Sequence, residues 1–246
     1  MKVYILTTKK TVDKRLVNGK PATYPACLPE PELVFGKTKD DISIDLVPSW
    51  FNPCLRERGA VYIIGAYCCY LGHLTALRNH YAKYPDEDYM ILEDDVVFRP
   101  DFCDCYARFM QLVPNDWGII DLGSWSDRKT SFKEVLPGVL KQSDRIYSTE
   151  CFIIRSTTIP ILLRLLENCV ASKYHELDLF IFNFRDIINT YLPILSFAYQ
   201  ADGMSLIRCG HKSLKNRYSY RLYTDINGSS RVATPVSLKI YYDGRL

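Results

Sequence analysis

Three consecutive carboxylates, Glu93, Asp94 and Asp95, follow the apolar run Tyr89-Met90-Ile91-Leu92 and precede Val96-Val97-Phe98. An apolar run that ends in charge reads as a buried strand reaching a polar rim. Adjacent carboxylates in such a setting repel one another and are costly to desolvate. A hard divalent cation with oxygen ligands, Mn²⁺ or Mg²⁺, neutralises them economically. Successive side chains of a strand point to opposite faces. Glu93 and Asp95 are therefore expected to share one face and hold the metal. Asp94 is expected on the other face, toward a ribose or a basic side chain. A metal held this way can bridge a diphosphate and stabilise the charge on a leaving nucleoside diphosphate. An acidic turn that only caps the next element has the same spacing.

Other residues offer supporting chemistry. The run Val3–Leu6 reads as a first strand that ends at Thr7 and Thr8, with Arg15 shortly after. Ligands of parallel sheets bind beyond the carboxyl ends of strands, which places these three beside a nucleotide or phosphate. A solvated loop with stray charges fits the same residues. Leu71, Leu74, Leu77, Tyr81 and Tyr84 recur at helical spacing, so a helix is expected over 71–84. His73 then lies in its first turn, where a hydrogen-bonded core histidine is the plain reading and a site role the sharper one. Cys68-Cys69 and Cys103-x-Cys105 are spaced too tightly for an ordinary zinc site. Buried thiols are the expectation. No phosphate-binding glycine loop and no serine-centred elbow occur.

Those residues need a scaffold. A chain of 246 residues, 48% hydrophobic and 24% charged, suits one large α/β domain or one with a small appendage. A net charge of +3 is too mild to argue for nucleic acid. Nine cysteines without an export-type leader suggest reduced thiols and a cytoplasmic setting, or the cytoplasmic face of a membrane. No run is expected to reach the roughly 18 apolar residues of a membrane span. Residues 18–59 are rich in Pro and Gly and read as loops and turns. Helices are expected over 100–113, 158–169 and 176–191, and strands over 117–122, 151–154 and 192–198. Residues 125–145 read as a polar loop. Residues 1–210 form the expected main domain, and 211–246 a basic, Tyr-rich arm. Strands alternating with helices indicate an α/β fold with a mainly parallel sheet.

Three segments add a resemblance. Gly65-Ala66-Tyr67-Cys68-Cys69-Tyr70-Leu71-Gly72-His73-Leu74 lies one helix upstream of the carboxylates. Ile120-Asp121-Leu122-Gly123 ends the next strand, and Gln200-Ala201-Asp202-Gly203-Met204-Ser205 follows the late one. Together with Leu92-Glu93-Asp94-Asp95-Val96 they resemble glycosyltransferase family 25. That family includes bacterial lipooligosaccharide galactosyltransferases and collagen-modifying β-galactosyltransferases. The matching positions are Gly65, Cys69, Leu71, His73, the Leu92–Val96 string, Phe102 and Gly123. Gly72 stands where the family usually has Ser, and Cys68 where it has Gly.

The resemblance covers 60–125 well, 147–207 more thinly and the first 59 residues faintly. It implies a GT-A fold, a Rossmann-like sheet binding a UDP-sugar and Mn²⁺ or Mg²⁺. It also implies inverting transfer of a hexose, galactose or glucose, to a hydroxyl of a glycan, a lipid-linked glycan or a hydroxylysine. Such transfer needs a general base within hydrogen-bond reach of the acceptor. Asp178 is the first candidate, where the family tends to carry an acid; Glu150 and Asp121 are rivals. Asp178 could equally serve only a helix dipole. His73 would position a loop or the donor, Gly123 would border it, and His211 would be a late metal ligand, with His175 comparable. Two other classes stay open: a nucleotide-sugar binder without turnover, and a nucleotidyltransferase. The latter usually carries a Gly-rich loop after its first strand, where this chain has Thr7-Thr8-Lys9-Lys10.

Overall fold

The computed structural model describes residues 1–49, 51, 59–123, 131–144, 146, 149–168, 177, 181, 184–200 and 221–233. The chain begins with β1 (Lys2–Thr7), a single-turn α1 (Val12–Arg15), the ribbon β2 (Leu16–Val17) and β3 (Lys20–Pro21), and β4 (Glu32–Phe35). The long α2 (Ala60–Lys83) leads to β5 (Tyr89–Glu93), β6 (Val96–Phe98), α3 (Phe102–Leu112) and β7 (Ile119–Asp121). Then come β8 (Phe132–Leu136), β9 (Val139–Gln142), β10 (Cys151–Ile154) and α4 (Ile159–Glu167). The described chain ends with β11 (Thr190–Pro193), β12 (Ala198–Gln200), β13 (Arg221–Thr224) and β14 (Ser230–Ala233).

Ten of the described strands form one sheet in the order β14-β13-β8-β9-β11-β7-β10-β5-β1-β4. β1 pairs in parallel with both β4 and β5, and β7 with β11. β10 runs antiparallel between β5 and β7. Strands β4, β1, β5, β7 and β11 thus point the same way, and their carboxyl ends open on one edge. The fold is α/β, with a mainly parallel sheet flanked by helices.

Strand alternation divides the core between the two faces. Tyr4, Ile91, Ile119, Phe152 and Ile154 pack on one side with Leu74 and Leu77 of α2 and Leu162 and Leu166 of α4. Val3, Ile5, Met90, Leu92, Ile120 and Ile153 pack on the other, with Phe102 and Phe109 of α3. Strands covered on both faces read as continuous apolar runs, as β5 and β10 do.

Several sequence expectations need correction. α2 takes in residues 60–70 as well and starts well before Leu71, so His73 lies mid-helix, not in a first turn. By length and composition α2 is apolar enough to cross a membrane, contrary to the expectation from the sequence. It buries residues including Tyr70, Leu74 and Leu77, and contacts β1, β4 and α4. Residues 132–142 are a hairpin, not loop, because Phe132, Val139 and Leu140 are buried and Gly138 supplies the positive φ of the turn. Thr190 and Tyr191 belong to β11, where a helix was expected, and β12 is a separate strand. Within 18–59, β4 is a true sheet strand. Cys103 is disulfide-bonded to Cys27, where reduced thiols were expected. This pairing fastens the stretch after β3 onto α3. Residues 221–233 form a hairpin that joins the sheet beside β8.

Gly118, at the foot of β7, is packed too closely for a side chain. An added Cβ would lie 2.7 Å from Ile188 Cγ2 and 3.0 Å from Thr158 Oγ1. Both neighbours are branched at Cβ and have little freedom to retreat. Gly118→Ala is expected to destabilise the protein by about 1–3 kcal/mol, measured by urea denaturation. An unchanged midpoint would contradict the packing around β7.

Candidate active site

β1 and β5 are neighbours, so their ends deliver Thr7 and Glu93-Asp94-Asp95 to the same place. Asp94 is buried there and held on several sides. Thr7 Oγ1 donates to Asp94 Oδ2 at 2.7 Å, and Thr11 Oγ1 donates to the same oxygen at 2.5 Å. Arg15 Nη1 donates to Oδ1 at 2.6 Å. The Asp94 N–H donates to the Leu6 carbonyl at 3.1 Å. α1 is the device that presents Thr11 and Arg15, four residues apart on one turn, to a single carboxylate. Arg15 Nη1 also lies 3.3 Å from Asp95 Oδ2.

The strand ends at Glu93, and Asp94 and Asp95 lie in the turn that follows. The expected division into two faces therefore stops at Glu93. All three carboxylates border one cavity of about 310 Å³. Thr7, Thr8, Arg15 and Gln200 line the same cavity, as do Lys10, Lys37, Thr38, Lys39 and Asp40. Lys10 is paired with Asp40. Gly65 and Cys69, two positions of the family-like segment, also reach this cavity.

The carboxylates differ in their surroundings. Glu93 Oε1 accepts from Thr149 Oγ1 at 2.8 Å and lies 3.7 Å from His73 Nε2. Burial works to raise the Glu93 carboxyl, but the His73 ring, then Thr149 and Arg15, outweigh it and hold it below its ordinary value. Asp95 Oδ2 accepts from Gln200 Nε2 at 3.0 Å, because β12 pairs with β6 and sets Gln200 beside it. Asp95 Oδ1 is buried without a hydrogen-bond partner among the described residues. Burial first, and Glu93 next, push Asp95 up to about 7.

Glu150 stands behind this group. It is 1% exposed, and both its carboxyl oxygens are buried without a partner among the described residues. Burial, with Glu93, Asp121 and Asp95 adding to it, pushes it well above its ordinary value. Its backbone carbonyl accepts from the Glu93 N–H at 2.9 Å. Gly123 is required here, because a Cβ would lie 2.8 Å from Glu150 Cγ. Gly123 itself packs on Glu150 and donates its N–H to Asp121 Oδ1 at 3.0 Å.

The structure therefore brings Thr7, Thr8, Arg15, Glu93, Asp94 and Asp95 to one cavity. It places His73, Glu150 and Gly123 behind that wall, not on it. Asp178, His211 and His175 lie outside the described residues. Sequence reasoning missed Thr11, Lys10, Lys37, Lys39, Thr149 and the contact that Gln200 makes. The lysines at 37 and 39 follow β4, a strand hidden in the Pro-rich stretch, and only their Lys37-x-Lys39 spacing signals them. An all-oxygen set containing an unpartnered Asp95 oxygen suits a hard divalent cation.

No protein-family profile matches the chain, and comparison with curated proteins finds no match. Among solved structures, it is similar to a mannose-1-phosphate geranyltransferase from Thermus thermophilus, at 10% identity and a TM-score of 0.32. That likeness covers 84% of this chain and 75% of the other. It is also similar to the inositol-1-phosphate CTP transferase from T. maritima, at 12% identity and a TM-score of 0.32, covering 81% and 88% respectively.

The raised Asp95 has a consequence for stability. The folded chain holds its proton more tightly than the unfolded chain does, so its contribution is fully present below the ordinary value of 3.8. It is lost as pH rises through about 7. Glu150 acts with the same sign. In chelator-treated protein the Tm should fall across this window, and the fall should be shallower in Asp95→Asn. An identical slope in both proteins would show that Asp95 is not desolvated.

Proposed function

We propose that the chain is a divalent-metal-dependent glycosyltransferase that moves a hexose from a UDP-sugar to a hydroxyl acceptor on a glycan or glycoprotein. One observation carries the reading. Asp95, one oxygen of which is buried with no hydrogen-bond partner among the described residues, and its neighbour Glu93 line a cavity that Lys10, Lys37 and Lys39 also line. That pattern suits a metal–diphosphate: carboxylates for the cation, lysines for the phosphates. The family-like positions Gly65, Cys69, Glu93 and Asp95 meeting at this cavity support glycosyltransferase family 25 as the relevant family.

In this reading Glu93 and Asp95 would hold Mn²⁺ or Mg²⁺. The bound cation would supply charge stabilisation for the departing diphosphate. Arg15 stays aimed at the cavity because Asp94 holds it. Lys10, Lys37 and Lys39 would neutralise phosphate oxygens, and Thr7 and Thr8 would border the nucleotide. Gln200 fixes the orientation of Asp95. Glu150, which does not line the cavity, is better placed to keep a proton beside Glu93 and Asp95 than to take one from an acceptor. Asp178 is the proposed base, and His211 a proposed further ligand.

A second reading, a nucleotidyltransferase, is favoured by the number of cations. Lys10, Arg15, Lys37 and Lys39 together suit the larger charge of a nucleoside triphosphate beside a sugar phosphate. The products tell the two apart. Incubation with a panel of UDP-sugars and Mn²⁺ should release UDP; a nucleoside triphosphate with a sugar phosphate would instead release pyrophosphate. Pyrophosphate alone would replace the first reading by the second, and release of neither, despite donor binding, would mark a non-catalytic binder.

Asp95→Ala should lower UDP release by more than the ~100-fold that loss of a mere supporting residue at a metal site can cost. Turnover within a few-fold of wild type would remove Asp95 from the metal role.

A further inference from the structure

We propose that Cys69, His73 and Glu93 form a second metal site, for a zinc-class transition-metal ion, beside the all-oxygen group around Asp95. Cys69 and His73 stand four apart on α2 and so share a face. Glu93 meets them from the end of β5. One donor atom from each of the three lies within 4.8 Å of the others. A thiolate and an imidazole select a borderline ion over the hard Mn²⁺ or Mg²⁺.

His73 supplies an independent observation. The residue is 3% exposed, and neither ring nitrogen has a hydrogen-bond partner among the described residues. Leaving such groups unsatisfied is costly. Nε2 is 3.7 Å from Glu93 Oε1, too long for a hydrogen bond. Two ligands of a tetrahedral zinc ion, at ordinary bond lengths, sit about 3.3 Å apart, so a small contraction completes the pair. The ring stacks on Phe152, with centroids 5.9 Å apart and planes 11° from parallel, which fixes its plane. Thr149 orients the Glu93 carboxylate from outside, as outer groups do at metal sites. Cys69 and Glu93 both line the cavity, so a fourth position opens toward a ligand there. Binding converts the Cys69 thiol to a thiolate and releases its proton to solvent.

This site does not depend on glycosyl transfer, and Co²⁺ tests it without an activity assay. Metal-free full-length protein titrated with Co²⁺ should develop a near-ultraviolet thiolate-to-cobalt band that Zn²⁺ abolishes by displacement. Cys69→Ser should remove the band, whereas Cys68→Ser, a neighbour on the same wall, should keep it. His73→Asn should weaken Co²⁺ binding by at least ~10-fold. Asp95→Asn should leave the band in place even while it impairs Mn²⁺-dependent donor binding, which separates failure of this site from failure of the proposed function. Absence of the band in wild type, its survival in Cys69→Ser, or unchanged affinity in His73→Asn overturns the proposal. If the His73 variant does not fold in a thermal melt, the comparison of the two cysteine variants decides alone.

Discussion

A carboxylate taken out of water must find donors, and Asp94 finds its own at the end of another strand and in the turn of helix beyond it. Thr7, Thr11 and Arg15 converge on it, and its N–H closes on Leu6. Breaking such a buried pair typically costs about 3–5 kcal/mol, because the surviving charge stays desolvated. Arg15 is itself 22% exposed, so the value here belongs at the lower end. The clamp ties the end of β1 to the end of β5 and holds α1 in place. It also keeps Arg15 within reach of Asp95. The shape of the cavity wall, the place of Arg15 in it and the spacing of its acids all follow from this contact.

Around that fixed point, identical chemistry is made unequal by environment. Asp94 has donors on both carboxyl oxygens. Glu93 is held low by His73, Thr149 and Arg15, whereas Asp95 and Glu150 are pushed up by burial and by the other acids. Groups of one type whose proton affinities are driven apart can take different roles. The reversed direction of β10 is what creates the crowding. In a parallel neighbour of β5, the start of the strand would lie at the far edge of the sheet. Because β10 is antiparallel, Glu150 arrives beside Glu93 and Asp121. Gly123 leaves the room that Glu150 needs.

Local sequence was informative wherever a property belongs to neighbours in the chain. The apolar run into Glu93, the strand at Cys151–Ile154 and the helices over α3 and α4 are legible because periodicity and burial coincide there. Thr7, Thr8 and Arg15 were legible from their position after a first strand. Strand β4, the β8–β9 hairpin and the true start of α2 were not. The apolar residues of those strands are mixed with Pro, Gly and Lys, and their pairing energy comes from distant partners; the first turns of α2 are apolar nearly all round, so no helical period shows in them.

What the sequence determined alone is therefore a set of short segments and the acidic strand end at Glu93-Asp94-Asp95. What only the tertiary structure decided is which acid does what. Asp94 meets Arg15 across 79 positions, Asp95 meets Gln200 across 105, and Glu93 meets Thr149 across 56. No local pattern carries such pairings. They arise when chain entropy has been overcome by the packing of the sheet.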